Sequence, residues 1–386
     1  MILPPLSLYV HLPWCVRKCP YCDFNSHGLR GELPEAAYVA ALTRDLEQDL
    51  PRVAGRRIRS VFFGGGTPSL FSAGGIGRIL EVAQARLPFV PDAEVTLEAN
   101  PGTVERGRFG EYKAAGVTRL SIGVQSFNPA HLKVLGRIHS SDEATRAAEE
   151  AHAAGLANFN LDLMYALPEQ SKVEALSDVR RAMELKPAHL SHYQLTLEPN
   201  TEFHARPPKL PDGDSVWDMQ LACQEELTAG GYTQYEVSAY AREGRRCLHN
   251  LNYWRFGDYL GIGAGAHGKL TDPAGLVTRL WKLKHPETYL RSAGTPASLG
   301  GVDQVSQADL VFEYMLNRLR LTEPFTGESF QAATGLSPGL LKPGLERASS
   351  LGLLEEGAMG WRVTPRGQAY LNDLQGLFLP GPRESA

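Results

Sequence analysis

A chain of 386 residues predicts two or three domains at roughly 150 residues each, the largest able to bury a full core without disulfide staples. With 43% hydrophobic and 21% charged residues it has an ordinary soluble globular make-up, and a net charge of −4 leaves no basic excess for nucleic acid. No run approaches the roughly 18 apolar residues of a spanning helix, and Met1-Ile2-Leu3-Pro4-Pro5 carries no basic leader, so a cytoplasmic protein is expected.

In chain order, strands are predicted at Leu6 to Leu12, Ile58 to Phe63, Glu94 to Ala99, Arg119 to Gln125, Asn158 to Tyr165 and Leu190 to Leu197. Between and after them lie helical patterns at Pro34 to Val53, Gly75 to Arg86, Val104 to Ala115, Asp142 to Ala154, Val173 to Leu185 and Ser215 to Ala229. Pro34 and Glu35 open the first, Asp142 is placed as a cap, and Gly116 and Gly155 sit where helix C-terminal glycines belong. Strand then helix, repeated six times, implies a parallel sheet with right-handed crossovers. Six units are too few for a closed eight-stranded barrel, so an α/β fold is expected: an open partial barrel or wound sheet, extended by Tyr232 to Ala241.

After about Lys284 the pattern changes to Gly- and Pro-containing linkers, and from Gln307 two or three helices precede a β-ribbon, Gly352 to Glu356 with Trp361 to Pro365. A last helix is predicted at Arg366 to Leu374. Helices followed by a ribbon suggest a small winged-helix-like α+β domain, and its lack of clustered Lys and Arg favours a packing or lid role over nucleic acid. The divisions read are 1–245, 246–300 and 301–386.

Of five cysteines, Cys15, Cys19 and Cys22 lie within eight residues directly after the first strand, which suits metal binding in a reducing compartment. Pro13 and Pro20 oppose a helix there, so a wrapping loop is expected. Three thiolates can hold three irons of a cubane and leave the fourth open; zinc with His11 or His27 as fourth ligand is the alternative. Gly64-Gly65-Gly66-Thr67 ends the second strand, where glycines let backbone groups approach a polar ligand. Glu98, Asn100, Gln125 and Ser126 fall at later strand ends. Asp162 sits inside an apolar run and needs a partner, for which a ribose or amine would serve, and Arg137 could grip a carboxylate by two hydrogen bonds.

The Cys-x3-Cys-x2-Cys triad, the Gly-Gly-Gly-Thr-Pro run and Glu98-x-Asn100-Pro101 together resemble the radical S-adenosylmethionine enzymes. The resemblance runs from Leu6 to about Leu374 and sharpens toward the branch holding oxygen-independent coproporphyrinogen III dehydrogenase (HemN) and the haem chaperones (HemW). It implies a partial (β/α)6 TIM-like barrel. It also implies a [4Fe–4S] cluster on Cys15, Cys19 and Cys22, and reductively cleaved S-adenosylmethionine contacting Tyr9, Tyr21, Gly65, Gly66, Thr67, Glu98, Gln125, Arg137 and Asp162.

Within the branch, the dehydrogenase has a fourth cysteine where this chain has Phe24, and a long segment before its motif where this chain has fourteen residues. The stretches Pro13-Trp14-Cys15, Cys22 to His27 and His249-Asn250-Leu251-Asn252-Tyr253-Trp254 resemble the chaperones instead. His249, Asn250, Tyr253 and Trp254 are the expected haem contacts, since imidazole ligates haem iron and aromatic rings pack on a porphyrin face. Cys247 is a further thiol near any haem, more readily a small buried residue. Cys223 is read as helix packing, and His267 as a turn histidine. The expectation is a haem chaperone delivering to acceptors such as respiratory enzymes, as monomer or homodimer, with peripheral membrane contact allowed and its status as an enzyme open. The alternatives are the dehydrogenase and a zinc-stabilised winged-helix binding protein.

Overall fold

The structure, a computed structural model, describes residues 3–103 and 107–380. The predicted helix start at Val104 and the chain ends at Met1 and Ala386 lie outside the described residues. The chain opens with β1 (Leu6–Leu12), followed by a short parallel bridge of β2 (Trp14–Cys15) with β3 (His27–Gly28). Alternation then proceeds through α1 (Glu35–Asp49), β4 (Ile58–Gly65), α2 (Ala73–Arg86), β5 (Phe89–Ala99), α3 (Arg108–Ala114) and β6 (Arg119–Gln125). It continues through α4 (Pro129–Val134), α5 (Ser141–Ala153), β7 (Phe159–Tyr165), α6 (Lys172–Glu184) and β8 (His189–Gln194). Next come α7 (Glu202–Ala205), α8 (Gly213–Ala229), β9 (Thr233–Glu236), β10 (Ala239–Ala241) and α9 (Leu248–Trp254). β11 (Asp258–Ile262), β12 (His267–Thr271), β13 (Val277–Lys282), α10 (Pro286–Ser292) and β14 (Leu299–Gln304) complete one 12-stranded sheet.

The sheet order is β14-β13-β12-β11-β1-β4-β5-β6-β7-β8-β10-β9. From β11 to β8 every pairing is parallel; the pairs outside that block are antiparallel. The predicted extension at Tyr232 to Ala241 is the β9–β10 edge. The stretch 246–300, read as extension and linker, lies largely in the sheet: four further strands fall within residues 258–304, and β11 pairs in parallel with β1. These strands are five or six residues long, and β14 reads Leu-Gly-Gly-Val-Asp-Gln, so neither alternation nor propensity marks them.

Three local readings change. The cap of α5 is Ser140, not Asp142: Ser140 keeps an extended backbone and exchanges hydrogen bonds with Glu143 in a capping box, whereas Asp142 is already in the first turn. Helix α4 is too short to show a period, although Asn128 as cap and Pro129 behind it were visible signals. The predicted last helix divides at Tyr370 into α14 (Pro365–Ala369) and α15 (Leu371–Gly376). These follow α11 (Gln307–Arg318), α12 (Gly327–Thr334), α13 (Lys342–Ser350) and the ribbon of β15 (Leu354–Gly357) with β16 (Gly360–Val363).

Successive strand residues point to opposite faces. Leu8, Val10, Val61, Leu97, Ile122 and Leu161 point outward and build the main core with Ile79, Ala148 and Val179 of the helices. A second core gathers Tyr314, Met315, Phe330, Leu354 and Leu374, joined by Phe256 and Val277. The other strand face is polar: Ser7, Tyr9 and His11 on β1, Thr96 and Glu98 on β5, Ser121 on β6, Asn160 and Asp162 on β7, His189 and Ser191 on β8. On this face β1, β4, β5, β6 and β7 each interrupt a buried stretch with one half-exposed residue: Tyr9, Phe62, Glu98, Gly123 and Asp162. Register puts Tyr9 beside Phe62, Glu98 beside Ser121, and Asp162 beside both Gly123 and Ser191. The inner side is therefore a polar hollow on which five strands each keep one partly exposed residue.

Candidate functional site

The cysteine loop begins where β1 ends, and the β2–β3 bridge closes its base by pairing Trp14 with His27 and Cys15 with Gly28. None of the three cysteines forms a disulfide, and each is half-buried. Burial pushes the Cys15 thiol up, with hydrogen bonds to Thr67 and Ser26 opposing it, and burial likewise pushes up Cys22. Arg137 Nη1 donates to Cys19 Sγ at 3.6 Å while Nη2 donates to the Gly123 carbonyl at 2.6 Å.

Both histidines that could complete a zinc site are engaged. His11 Nε2 lies 2.8 Å from the Asn25 carbonyl with Nδ1 3.1 Å from the Tyr9 hydroxyl, and His27 Nε2 lies 3.3 Å from Asn25 Oδ1. Among the described residues no cysteine, histidine or carboxylate set already closes on a single ion. Three thiols from one loop, with no fourth donor among the described residues, have the chemistry of a cubane that keeps one iron open.

The glycine run fastens this loop to the barrel. Gly66 N donates to the Leu12 carbonyl at 2.8 Å and Thr67 N to the Trp14 carbonyl at 2.7 Å. A Cβ on Gly66 would stand 2.4 Å from the Trp14 carbonyl oxygen, and one on Gly65, at φ +115°, would meet the His11 ring at 2.6 Å. These glycines answer first to a chain crossing, where the sequence reading assigned them to a ligand.

Glu98 and Asp162 face the hollow together. Burial pushes Glu98 up to about 8, Asp162 adds to the shift, and a Gly65 backbone hydrogen bond opposes it. Asp162 is also raised by burial, against hydrogen bonds from Asn160, Ser191 and Ser121; its oxygens accept from Asn160 Nδ2 at 2.8 Å and Ser121 Oγ at 3.2 Å. The partner that Asp162 demanded is thus supplied within the fold, and its half-exposure leaves room for a second. Two carboxylates sharing a poorly solvated face favour a cationic ligand, which would restore their ionisation.

Gln125 holds a left-handed backbone at φ +70° and accepts from the Tyr193 hydroxyl at 2.7 Å, strain of about 1–3 kcal/mol that re-aims its side chain at a strand end. Ser126 is structural, donating to Asp178 at 2.7 Å, and Asn100 Oδ1 lies 3.2 Å from His139 Nδ1. Tyr21 packs near Phe203, with Cys19 and Arg137 in electrostatic reach. The structure therefore gathers the cysteines, Gly65, Gly66, Thr67, Glu98, Gln125 and Arg137 at or beyond the C-terminal strand ends, with Tyr9 and Asp162, both mid-strand, on the hollow's wall. Sequence reasoning missed Gly123, Tyr193 and Asn25; the alternation of polar residues along β6 to β8 was the available signal for the hollow.

The His249-to-Trp254 motif lies in helix α9, packed against β4, β1 and β11. Positions four apart share a helix face, and the motif divides accordingly. His249 and Tyr253 turn toward the hollow: His249 is 4.9 Å from the Phe62 ring, 5.1 Å from Tyr253 and 6.3 Å from Tyr9. Trp254 instead packs with Leu251, Tyr235 and Leu321, with Arg320 over its ring at 4.4 Å; Asn250 lies four positions before it. The four residues form no single plate. His249 is only 2% exposed; its Nδ1 lies 3.0 Å from Ser60 Oγ, and its Nε2 has no protein partner. Burial, with Arg119 nearby, lowers its pKa to about 3, so it is a neutral imidazole with one nitrogen free, the state that ligates iron. Cys247 is fully buried, its thiol pushed up to about 12 chiefly by burial, and it donates to Glu94 at 3.6 Å. Cys223 is buried in α8, and His267 is exposed at the start of β12.

Residues 9–198 match the sequence model described as the Radical SAM superfamily, and residues 305–370 that of the HemN C-terminal domain. Heme chaperone HemW of Escherichia coli (strain K12) is 53% identical over 377 residues, 98% of this chain and 99% of that protein. Heme chaperone HemW of Haemophilus influenzae is 51% identical over 381 residues, 98% of each. The solved structure of Escherichia coli coproporphyrinogen III oxidase (HemN) has the same fold, with a TM-score of 0.82 at 23% identity over 97% of this chain and 90% of that one. A parallel partial barrel with three cysteines beyond its first strand is here the scaffold of a radical S-adenosylmethionine protein. Both of these bacterial matches run over 98% of the chain, and within that superfamily it belongs to the HemW family.

Proposed function

We propose that this chain is a haem chaperone that binds haem and delivers it to acceptor haemoproteins such as respiratory enzymes. The observation that carries the reading is the 53% identity to Heme chaperone HemW across 98% of the chain. Phe24, where the dehydrogenase-like motif would place a fourth cysteine, is 58% exposed. Family membership, with His11 and His27 already engaged, leaves no support for the zinc-stabilised binding protein.

In this reading Cys15, Cys19 and Cys22 hold a [4Fe–4S] cluster. Tyr9, Tyr21, Gly65, Gly66, Thr67, Glu98, Gln125, Arg137 and Asp162 hold S-adenosylmethionine, with Glu98 and Asp162 receiving its positive charge. The cluster, when bound, supplies an open iron for the methionyl amine and carboxylate and an electron for the sulfonium. His249 offers its free Nε2 to haem iron, and Tyr253 offers a ring. Residues 1–245 serve as the cofactor-bearing barrel, 246–300 as the haem-bearing extension and 301–386 as a packing module without nucleic acid. Among the described residues no helix is long and apolar enough to cross a membrane; we place the protein in the cytoplasm, as monomer or homodimer, with membrane contact at most peripheral.

Haem titration of anaerobically reconstituted protein, followed by visible spectroscopy, tests the proposal. Saturable binding with a ligand-field spectrum is expected, together with no decarboxylation of coproporphyrinogen III. Turnover of that substrate without stable haem binding would reverse the reading.

A further inference from the structure

We propose that Asn25 is the positioning residue of the cysteine loop, a clasp whose side-chain amide fixes the Cys22 end of the loop to the β11–β14 arm. The proposal rests on the reading that Cys15, Cys19 and Cys22 carry the cluster.

The two ends of the loop are held by different parts of the fold. The β2–β3 bridge ties the two ends to each other, and at the Cys15 end the Thr67 amide attaches the chain to the barrel. Beyond Cys22 the chain runs to Asn25, whose Nδ2 donates to the Ala264 carbonyl and to the Lys284 carbonyl, each at 2.9 Å. Asn25 Oδ1 faces His27 Nε2 at 3.3 Å, and its backbone carbonyl lies 2.8 Å from His11 Nε2. Both amide hydrogens and both oxygens are thus engaged by protein. Asn25 has nothing left for a ligand, and its action on the cluster passes through the loop it anchors.

The socket is built for this side chain. Gly265 has φ +80°, and a Cβ there would stand 2.2 Å from Asn25 Nδ2; a Cβ on Gly263 would stand 2.3 Å from the His11 carbonyl oxygen. The receiving turn is itself locked from behind: Gly263 N donates to Asp45 Oδ2 at 3.0 Å, Ala264 N to the Tyr38 hydroxyl at 2.8 Å and Gly265 N to the Leu283 carbonyl at 2.9 Å. Asp45 in turn accepts from the fully buried Lys282 ammonium at 2.6 Å. A rigid socket on one side and a short cysteine loop on the other make the Asn25 amide the link that, beside the β2–β3 bridge, sets where Cys22 stands.

Asn25→Asp keeps volume and shape but turns a donor to two carbonyls into an acceptor facing them. Gly265→Ala presses on the same amide from the opposite side, and Asn25→Ser serves if either variant folds poorly. Each protein is reconstituted anaerobically, and loss of the iron–sulfur absorbance to an excess of iron chelator is timed, with melting of the cluster-free protein measured in parallel. We expect the variants to load the cluster and to release iron about tenfold faster, as befits two lost hydrogen bonds, while cluster-free melting moves by no more than about 4 °C. Release at the wild-type rate would overturn the clasp, as would faster release matched by an equal collapse of the cluster-free fold. Wild-type protein that takes up no iron–sulfur absorbance would instead overturn the cluster reading beneath it.

Discussion

Glu98 is the residue at which the site's electrostatics can be read most directly. Its folded pKa of about 8 lies above the ordinary 4.5 because burial disfavours the charged form. Between those values the native state binds more protons than the unfolded chain, so this residue makes stability fall as pH rises through the window. Glu98→Gln removes the contribution. We expect its melting temperature relative to wild type to be unchanged near pH 4.5 and to rise progressively toward pH 8, while S-adenosylmethionine binding weakens. A constant offset across that range would contradict the assignment. His249 offers a second test at this scale: with Nε2 unpartnered and the ring bonded to Ser60, His249→Ala should weaken haem binding and leave cluster absorbance intact. An unchanged haem spectrum would remove the imidazole from the ligand set.

At the scale of elements, the barrel strands were legible because they are long and separated by helices with clear caps, and the cysteine and glycine motifs because each breaks a strand end. What escaped did so for physical reasons. The strands from Asp258 to Gln304 are short and poor in alternation, the sharp division of α9 into two faces depends on packing, and Asn25 acts through carbonyls more than two hundred residues away. The glycine run was placed correctly and explained incompletely, since Gly66 is required by the Trp14 backbone whether or not a ligand is present. Gly66→Ala is therefore expected to cost about 1–3 kcal/mol in chemical denaturation of the cluster-free protein, the range of overpacked sites. A wild-type midpoint would show that β4 and the cysteine loop can part without cost.

For the whole molecule, one sheet carries both the cofactor hollow and the arm that clasps the cysteine loop, and a buried ion cluster joins arm to barrel. Lys282 of β13 donates to Asp45 and Asp49 of α1, each at 2.6 Å, all three side chains fully buried. Removing the cation leaves Asp45 with neutral donors alone and Asp49 with only the exposed Arg52 as counter-charge, so Lys282→Ala should destabilise the protein by about 3 kcal/mol in a denaturant titration; a loss below about 1 kcal/mol would mean that water reaches the pair. The central claim, that three sulfurs of one loop leave a cubane corner open to S-adenosylmethionine, is tested most directly by electron paramagnetic resonance of the reduced, reconstituted protein. A [4Fe–4S] signal is expected whose line shape changes when S-adenosylmethionine is added and stays unchanged with adenine alone. A protein without the signal, or a signal indifferent to S-adenosylmethionine, would contradict it.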